Sequence, residues 1–184
     1  MVRNSKKVLV PKYFVLDVDG VLTDGQFHYS IDGKVMKVFG ADDADALSIL
    51  RNKLAIHMIS GDKRGYPITF KRVAEDMKYP LDQVSTFERI DWIREHYDLE
   101  HTIYMGDGIY DSMVFKKVMY GIAPASGFYL TKQNADFVTK TRAAEGAVAE
   151  ACVHIMEKFF GGFDFENLDL SKGSGAWGKG EKHV

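Results

Sequence analysis

The sequence predicts an α/β fold, a parallel sheet with helices on both faces. Three observations carry that expectation. Short apolar runs alternate with helix-compatible segments, three of those runs end on glycine beside serine or aspartate, and the one stretch that breaks the alternation reads as a hairpin. With 184 residues, 46% of them hydrophobic, the chain can bury one sizeable core but not two ordinary ones. One domain is therefore expected over residues 1–160.

The first run, Lys12 to Val18, reads as a buried strand, and its continuation Phe14-Val-Leu-Asp-Val-Asp-Gly-Val-Leu-Thr-Asp24 delivers Asp17 and Asp19 into a glycine turn. Side chains two apart on a strand share a face, so both carboxylates start on one side, at the carboxyl end where open α/β sheets keep their sites. Like charges that close repel, and a cation or a shared proton between them relieves the repulsion.

Gln26 to Phe39 interrupts the alternation. It reads as two alternating strands, Phe27–Ile31 and Lys34–Phe39, joined by Asp32-Gly33, a type I′ turn signal. Such a hairpin projects over the strand ends, where it can cover a site or pair with another subunit.

Ala41 to Asn52 carries Leu47, Ile49 and Leu50 behind an acidic first turn, a helix pattern. Leu54 to Ser60 is a second strand, ending at Gly61-Asp62, and a helix follows through Met77 with its start limited by Pro67. Ile90 to His96 reads as a helix and His101 to Met105 as a third strand, running into Gly106-Asp107. Asp111 to Val118 and Ala144 to Phe160 complete the helices. From Gly161 the composition shifts to Gly, Asp, Lys and Ser, the pattern of a tail over 161–184 with Phe163, Phe165 and Trp177 as candidate anchors.

Twenty-four Lys and Arg against 26 Asp and Glu leave a net charge of -2, without the basic excess of a nucleic-acid binder, so a small solute is the expected partner. The single cysteine, Cys152, lies in an apolar helix and reads as core. No apolar run approaches the about 20 residues that cross a bilayer, and Met-Val-Arg-Asn-Ser-Lys-Lys lacks the apolar centre of a signal peptide. A cytoplasmic protein without membrane partners is the expectation.

The second strand end supplies Ser60, a hydroxyl beside Gly61 that can donate to a phosphoryl oxygen. The third supplies Asp107 and, four residues on, Asp111, which equally suits the first turn of a helix. Oxygen donors from Asp17, Asp107 and the loop around Asp19 suit Mg²⁺. Zinc is disfavoured because His28, His57, His96, His101, His154 and His183 are scattered.

Asp17-Val-Asp19-Gly-Val-Leu-Thr-Asp-Gly25, Ser60-Gly and Gly106-Asp107-(x)3-Asp111 together resemble the haloacid dehalogenase superfamily of phosphotransferases. More narrowly they resemble its small capless phosphatases acting on phosphorylated 3-deoxy-2-keto sugar acids, octulosonate or nonulosonate phosphate. The likeness runs from about Lys12 to about Phe159. It implies a Rossmann-like three-layer sandwich without a large cap. It also implies an Asp17 nucleophile that forms an aspartyl-phosphate, Asp19 as general acid and base, and Ser60 on the phosphoryl group. Asp17 and Asp107 would bind Mg²⁺ through carboxylates and Asp19 through its backbone carbonyl, with Asp111 behind them.

Three positions depart from that pattern. Arg89, in Ser85-Thr-Phe-Glu-Arg-Ile-Asp91, occupies the slot of a lysine that links nucleophile and phosphoryl group; Gly108 replaces an aspartate; and Ala46 stands where glycine is common. Asp43 matches an acidic position near the site. Gly61, Lys63, Arg64 and Arg142 are candidates for holding the substrate, the basic ones through its carboxylate. The resemblance further implies a homotetramer in which each hairpin covers a neighbour's site. The alternative is a catalytically weak or silent domain that keeps the fold for assembly.

Overall fold

Apolar runs too short to form helices build the centre of the molecule, and the longer amphipathic segments cover it. The computed structural model describes residues 9–162, 164 and 166; the candidate anchors Phe163, Phe165 and Trp177 lie outside them. In chain order the elements are β1 (Tyr13–Asp17), β2 (His28–Ser30), β3 (Gly33–Met36), α1 (Ala41–Leu50), β4 (Ala55–Ser60), α2 (Tyr66–Phe70), β5 (Leu81–Gln83), α3 (Arg89–His96), β6 (Thr102–Met105), α4 (Asp111–Phe115), β7 (Tyr120–Ala123), α5 (Tyr129–Asn134), β8 (Phe137–Val138) and α6 (Ala147–Phe159). Six strands form one parallel sheet in the order β5-β4-β1-β6-β7-β8, and β2 pairs with β3 alone. This is the expected α/β sandwich, and among the described residues no large cap is inserted.

β1 sits between β4 and β6, in register from Tyr13 opposite Ala55 and Thr102. Strand periodicity divides its side chains between two layers. Phe14 and Leu16 face the core formed with α1 and α6, whose Leu47, Leu50, Val148, Ala151 and Ile155 are buried. Val15 faces the other layer, with Ile93 of α3, Tyr104 of β6 and Val114 of α4. Asp17 shares the parity of Val15, so its carboxylate emerges on the side where α3 and α4 begin. Cys152 is buried in the first core, as expected.

Asp43 is buried in α1 and accepts hydrogen bonds from the backbone N–H groups of Val148 and Ala149 at 2.9 and 3.0 Å. It therefore satisfies the start of α6 and ties the two helices of that layer together. The acidic position expected near the site is thus a helix cap in this chain.

The hairpin forms where expected but turns differently. Ser30 pairs with Gly33, leaving Ile31 and Asp32 as the loop. Of the hairpin residues only Gly33, at φ 119°, has positive φ, whereas a type I′ turn needs it at both central residues. A shift between His28 and Tyr29 leaves an extra residue in β3. Its base is anchored by the Thr23 to Phe39 bridge and by Asp24 N–H donating to Val38. The hairpin thus stands directly beside the acidic loop.

β5, β7, β8 and α5 were not anticipated; they are two to six residues long, too short for a periodicity to register. Among the described residues no helix is long and apolar enough to cross a membrane.

Leu16→Ala, at a fully buried position of β1, is expected to cost about 2 to 5 kcal/mol in chemical denaturation. Ile31→Ala, at the hairpin tip that is fully exposed in the single chain, is expected to change the stability of an isolated subunit by less than about 0.5 kcal/mol.

Candidate active site

Strand ends and helix starts bring four acidic side chains to one rim of the sheet. Asp17 closes β1, and its Oδ1 accepts from the Val18 N–H at 2.8 Å. The chain then reverses: the Val18 carbonyl accepts from Leu22 and Thr23, and Thr23 Oγ1 accepts from the N–H groups of Gly20 and Gly25. Gly20 has φ 88°, and a Cβ there would lie 2.1 Å from Asp107 Oδ2. Only glycine lets the β1 loop approach the β6 loop so closely.

Asp107 follows β6, and its carbonyl accepts from Phe128 N–H while Thr131 Oγ1 donates to the carbonyl of Gly108. The start of α5 therefore fixes the Asp107 loop. Asp111 opens α4, fully buried. Its Oδ2 accepts from the Gly108 N–H at 2.8 Å, and its Oδ1 accepts from Tyr104 Oη at 2.8 Å and Arg89 Nη1 at 2.5 Å. Carboxylate oxygens of Asp17, Asp107 and Asp111 all lie within 4.8 Å of one another.

Arg89, the first residue of α3, is buried and supplies the local positive charge. Its Nη1 is 2.7 Å from Asp17 Oδ2, 2.5 Å from Asp111 Oδ1 and 2.9 Å from Tyr104 Oη. One cation does not neutralise three carboxylates. Burial pushes Asp17 up to about 7; Arg89 opposes the rise, and Asp111 and Asp19 add to it. Burial likewise pushes Asp107 up to about 8, reinforced by Asp17 and Asp111 and opposed by Arg89. Crowded oxygen donors with an unmet demand for positive charge fit a hard divalent cation.

Asp19 points elsewhere. Its Oδ1 accepts from Lys37 Nζ at 2.5 Å and its Oδ2 from Ser60 Oγ at 2.8 Å, so its side chain is not part of the three-carboxylate cluster. Ser60, expected to face a phosphoryl group, is fully buried and donates to Asp19 instead. Asp62, beside it, pairs with Lys34 and Lys37 at 2.5 and 2.9 Å. Burial would raise Asp62, but these lysines and the Gly65 N–H hold it down at about 2. The hairpin is thereby pinned to the end of β4.

A cleft of about 620 Å³ opens over this rim. It is lined by Asp17, Asp19, Arg89 and Asp107, by the expected Gly61, Lys63 and Arg64, and by Phe27, Tyr29 and Lys34 of the hairpin segment. The hairpin thus borders the site of its own chain. Arg142 is not among the lining residues; it is exposed, 3.8 Å from Glu145. Sequence reasoning missed Lys34, Lys37 and Tyr104. A lysine inside the apolar run Val35-Met-Lys-Val-Phe39 was a signal for Lys37.

Residues 92–152 match the haloacid dehalogenase-like hydrolase family. The chain is 30% identical over 152 residues to the 3-deoxy-D-manno-octulosonate 8-phosphate phosphatase of Haemophilus influenzae, covering 79% of this chain and 83% of that one. It is 28% identical over 151 residues to the Escherichia coli K12 enzyme of the same name, covering 77% of each. Among solved structures it resembles the cobalt-bound Haemophilus influenzae phosphatase, with TM-score 0.70, 27% identity, and coverage of 80% of this chain and 88% of that one. It equally resembles the Moraxella catarrhalis phosphatase in complex with magnesium, phosphate and KDO, with TM-score 0.70, 26% identity, and coverage of 80% and 86%. The chain belongs to the haloacid dehalogenase-like hydrolases. Within them it is a phosphatase of the capless group that resembles 3-deoxy-D-manno-octulosonate 8-phosphate phosphatase.

Without a divalent cation, the raised Asp17 and Asp107 keep protons in the folded state that the unfolded chain releases near its ordinary value of 3.8. The folded state then binds more protons, so stability falls as pH climbs from about 4 to about 8. Denaturation at about pH 6 and about pH 8.5 should show this fall, a shallower one in Asp107→Asn, and a larger stabilisation by added Mg²⁺ at the higher pH. An Asp107→Asn slope equal to the parent's would contradict the assignment.

Proposed function

We propose that the chain is a Mg²⁺-dependent phosphomonoesterase that hydrolyses a phosphorylated 3-deoxy-2-keto sugar acid, octulosonate or nonulosonate phosphate, through an aspartyl-phosphate on Asp17. The observation that carries this reading is the division of labour between two aspartates two residues apart. Asp17 lies with Asp107 and Asp111 in the carboxylate cluster, whereas Asp19 is held by Lys37 and Ser60 beside the same cleft.

Asp17, Asp107 and the backbone of Asp19 would hold Mg²⁺, with Asp111 behind them. When bound, the cation offsets repulsion between the anionic nucleophile and the anionic phosphate. Asp17 Oδ attacks phosphorus. As the bond to the sugar oxygen breaks, Asp19 gives that oxygen a proton, and it later takes one from the water that cleaves the aspartyl-phosphate. Arg89 takes the place of the family's lysine: its Nη1 alone holds Asp17 and Asp111 together, and the guanidinium borders the cleft where the phosphate would sit. Lys63 and Arg64, exposed at the cleft, would receive the sugar acid's carboxylate.

A homotetramer is part of the same reading. The outer hairpin is apolar where a surface is normally polar: Ile31, Val35 and Met36 are exposed. Covering those side chains with a neighbouring subunit would remove that surface from water. Light scattering at micromolar concentration should give a tetramer, and a monomer would remove this part of the proposal.

Phosphate release with Mg²⁺ should be detectable on a panel of sugar-acid phosphates and should vanish in Asp17→Asn. Turnover no higher than that variant on every substrate would favour instead a silent domain retained for assembly, the reading that Arg89 and Gly108 motivate.

A further inference from the structure

Lys37 is the best-connected side chain at the site that no step of the proposed reaction uses. It follows β3, at the foot of the hairpin, and is buried at 7% exposure. Its Nζ lies 2.5 Å from Asp19 Oδ1, 2.8 Å from Thr69 Oγ1 and 2.9 Å from Asp62 Oδ2. Of the ammonium's donors one goes to Asp19 and one to Thr69, and its charge is paired with Asp62, so three separate segments hold it. Lys37 is therefore held in place and is not available to a substrate.

The other oxygen of Asp19 has a different kind of partner. Ser60 Oγ donates to Oδ2 and accepts from the Asp62 N–H at 3.2 Å. A hydroxyl rotates about its C–O bond, so Ser60 can withdraw its proton from Oδ2, while Lys37 keeps its hold on Oδ1. The two oxygens of Asp19 are thus inequivalent.

We propose that Lys37 is a positioning residue for Asp19: it pins Oδ1 and leaves Oδ2 as the oxygen that exchanges the catalytic proton. The inference rests on the reading of Asp19 as acid and base. In the first half-reaction, Asp17 Oδ forms a bond to phosphorus and the bond to the leaving oxygen breaks. That oxygen keeps the electron pair and takes the proton from Asp19 Oδ2. In the second, water oxygen bonds phosphorus, the bond to Asp17 breaks, and the water proton passes to Oδ2. Because Lys37 is carried by the hairpin, and Asp62 is ionised down to about pH 2, the seating of the hairpin sets the aim of the acid.

Leaving-group dependence separates aiming a proton from merely supporting the fold. A sugar alkoxide leaves poorly without a proton, whereas p-nitrophenolate leaves as an anion. In folded Lys37→Met, kcat/KM for an alkyl sugar-acid phosphate should fall by about 30-fold or more and that for p-nitrophenyl phosphate by less than about 3-fold. Thr69→Val keeps the charge, removes one tether, and should show the same selectivity at smaller size; it carries the test alone should Lys37→Met not fold. Equal losses on both substrates would overturn the inference while leaving the phosphatase reading intact. Parent protein without Mg²⁺-dependent turnover of either substrate would overturn both.

Discussion

Three carboxylates within 4.8 Å of one another are the constraint to which the rest of this site responds. They arrive from the end of β1, the loop after β6 and the start of α4, and each is held by contacts that predate any ligand. Gly20 permits the approach of the first two, since any side chain there would collide with Asp107. Tyr104 and the Gly108 N–H orient the third. Arg89 bridges Asp17 and Asp111 and, among the described residues, supplies the one buried positive charge that touches them. Burial first, and then the neighbouring carboxylates that this single charge does not offset, push Asp17 and Asp107 up.

A second polar system lies beside the first and is balanced differently. Asp19 and Asp62 share Lys37, Asp62 also pairs with Lys34, and neither carboxylate is left without a partner. Such pairs stabilise less by their Coulomb energy than by the cost of separating them once buried, because a stranded charge is expensive. The hairpin is consequently an integral wall of the site. Its inner side is tied to the strand ends through Lys34 and Lys37, and Ile31, Val35 and Met36 are exposed beyond it.

The legible parts of the molecule were those encoded locally. Asp17 was placed by strand parity, and Asp107 and Asp111 by a strand that ends on glycine; Asp19 lies past the end of β1, so parity did not govern it and its carboxylate turns to Lys37 and Ser60. Arg89 was assigned by register alone, yet it proves buried against Asp17. What could not be read depends on contacts between distant segments. Lys37 meets partners 18 and 32 residues away, and nothing near it in the chain announces them. Asp43 carried two meanings, helix start or site residue, and its bonds to Val148 and Ala149 decided the matter over separations of 105 and 106 residues. β7 and β8 follow loops and are too short for alternation to appear, so their place at the sheet edge emerged only from pairing with β6.

The central claim is that the crowded carboxylates are a cation site in which Arg89 holds the nucleophile's neighbour. Anomalous diffraction from crystals grown with Mn²⁺ in place of Mg²⁺ tests it most directly. The account predicts one peak at coordinating distance from carboxylate oxygens of both Asp17 and Asp107, with Arg89 still bonded to Asp111. A peak at Asp19 and Asp62 instead, or none at Asp17, would contradict it.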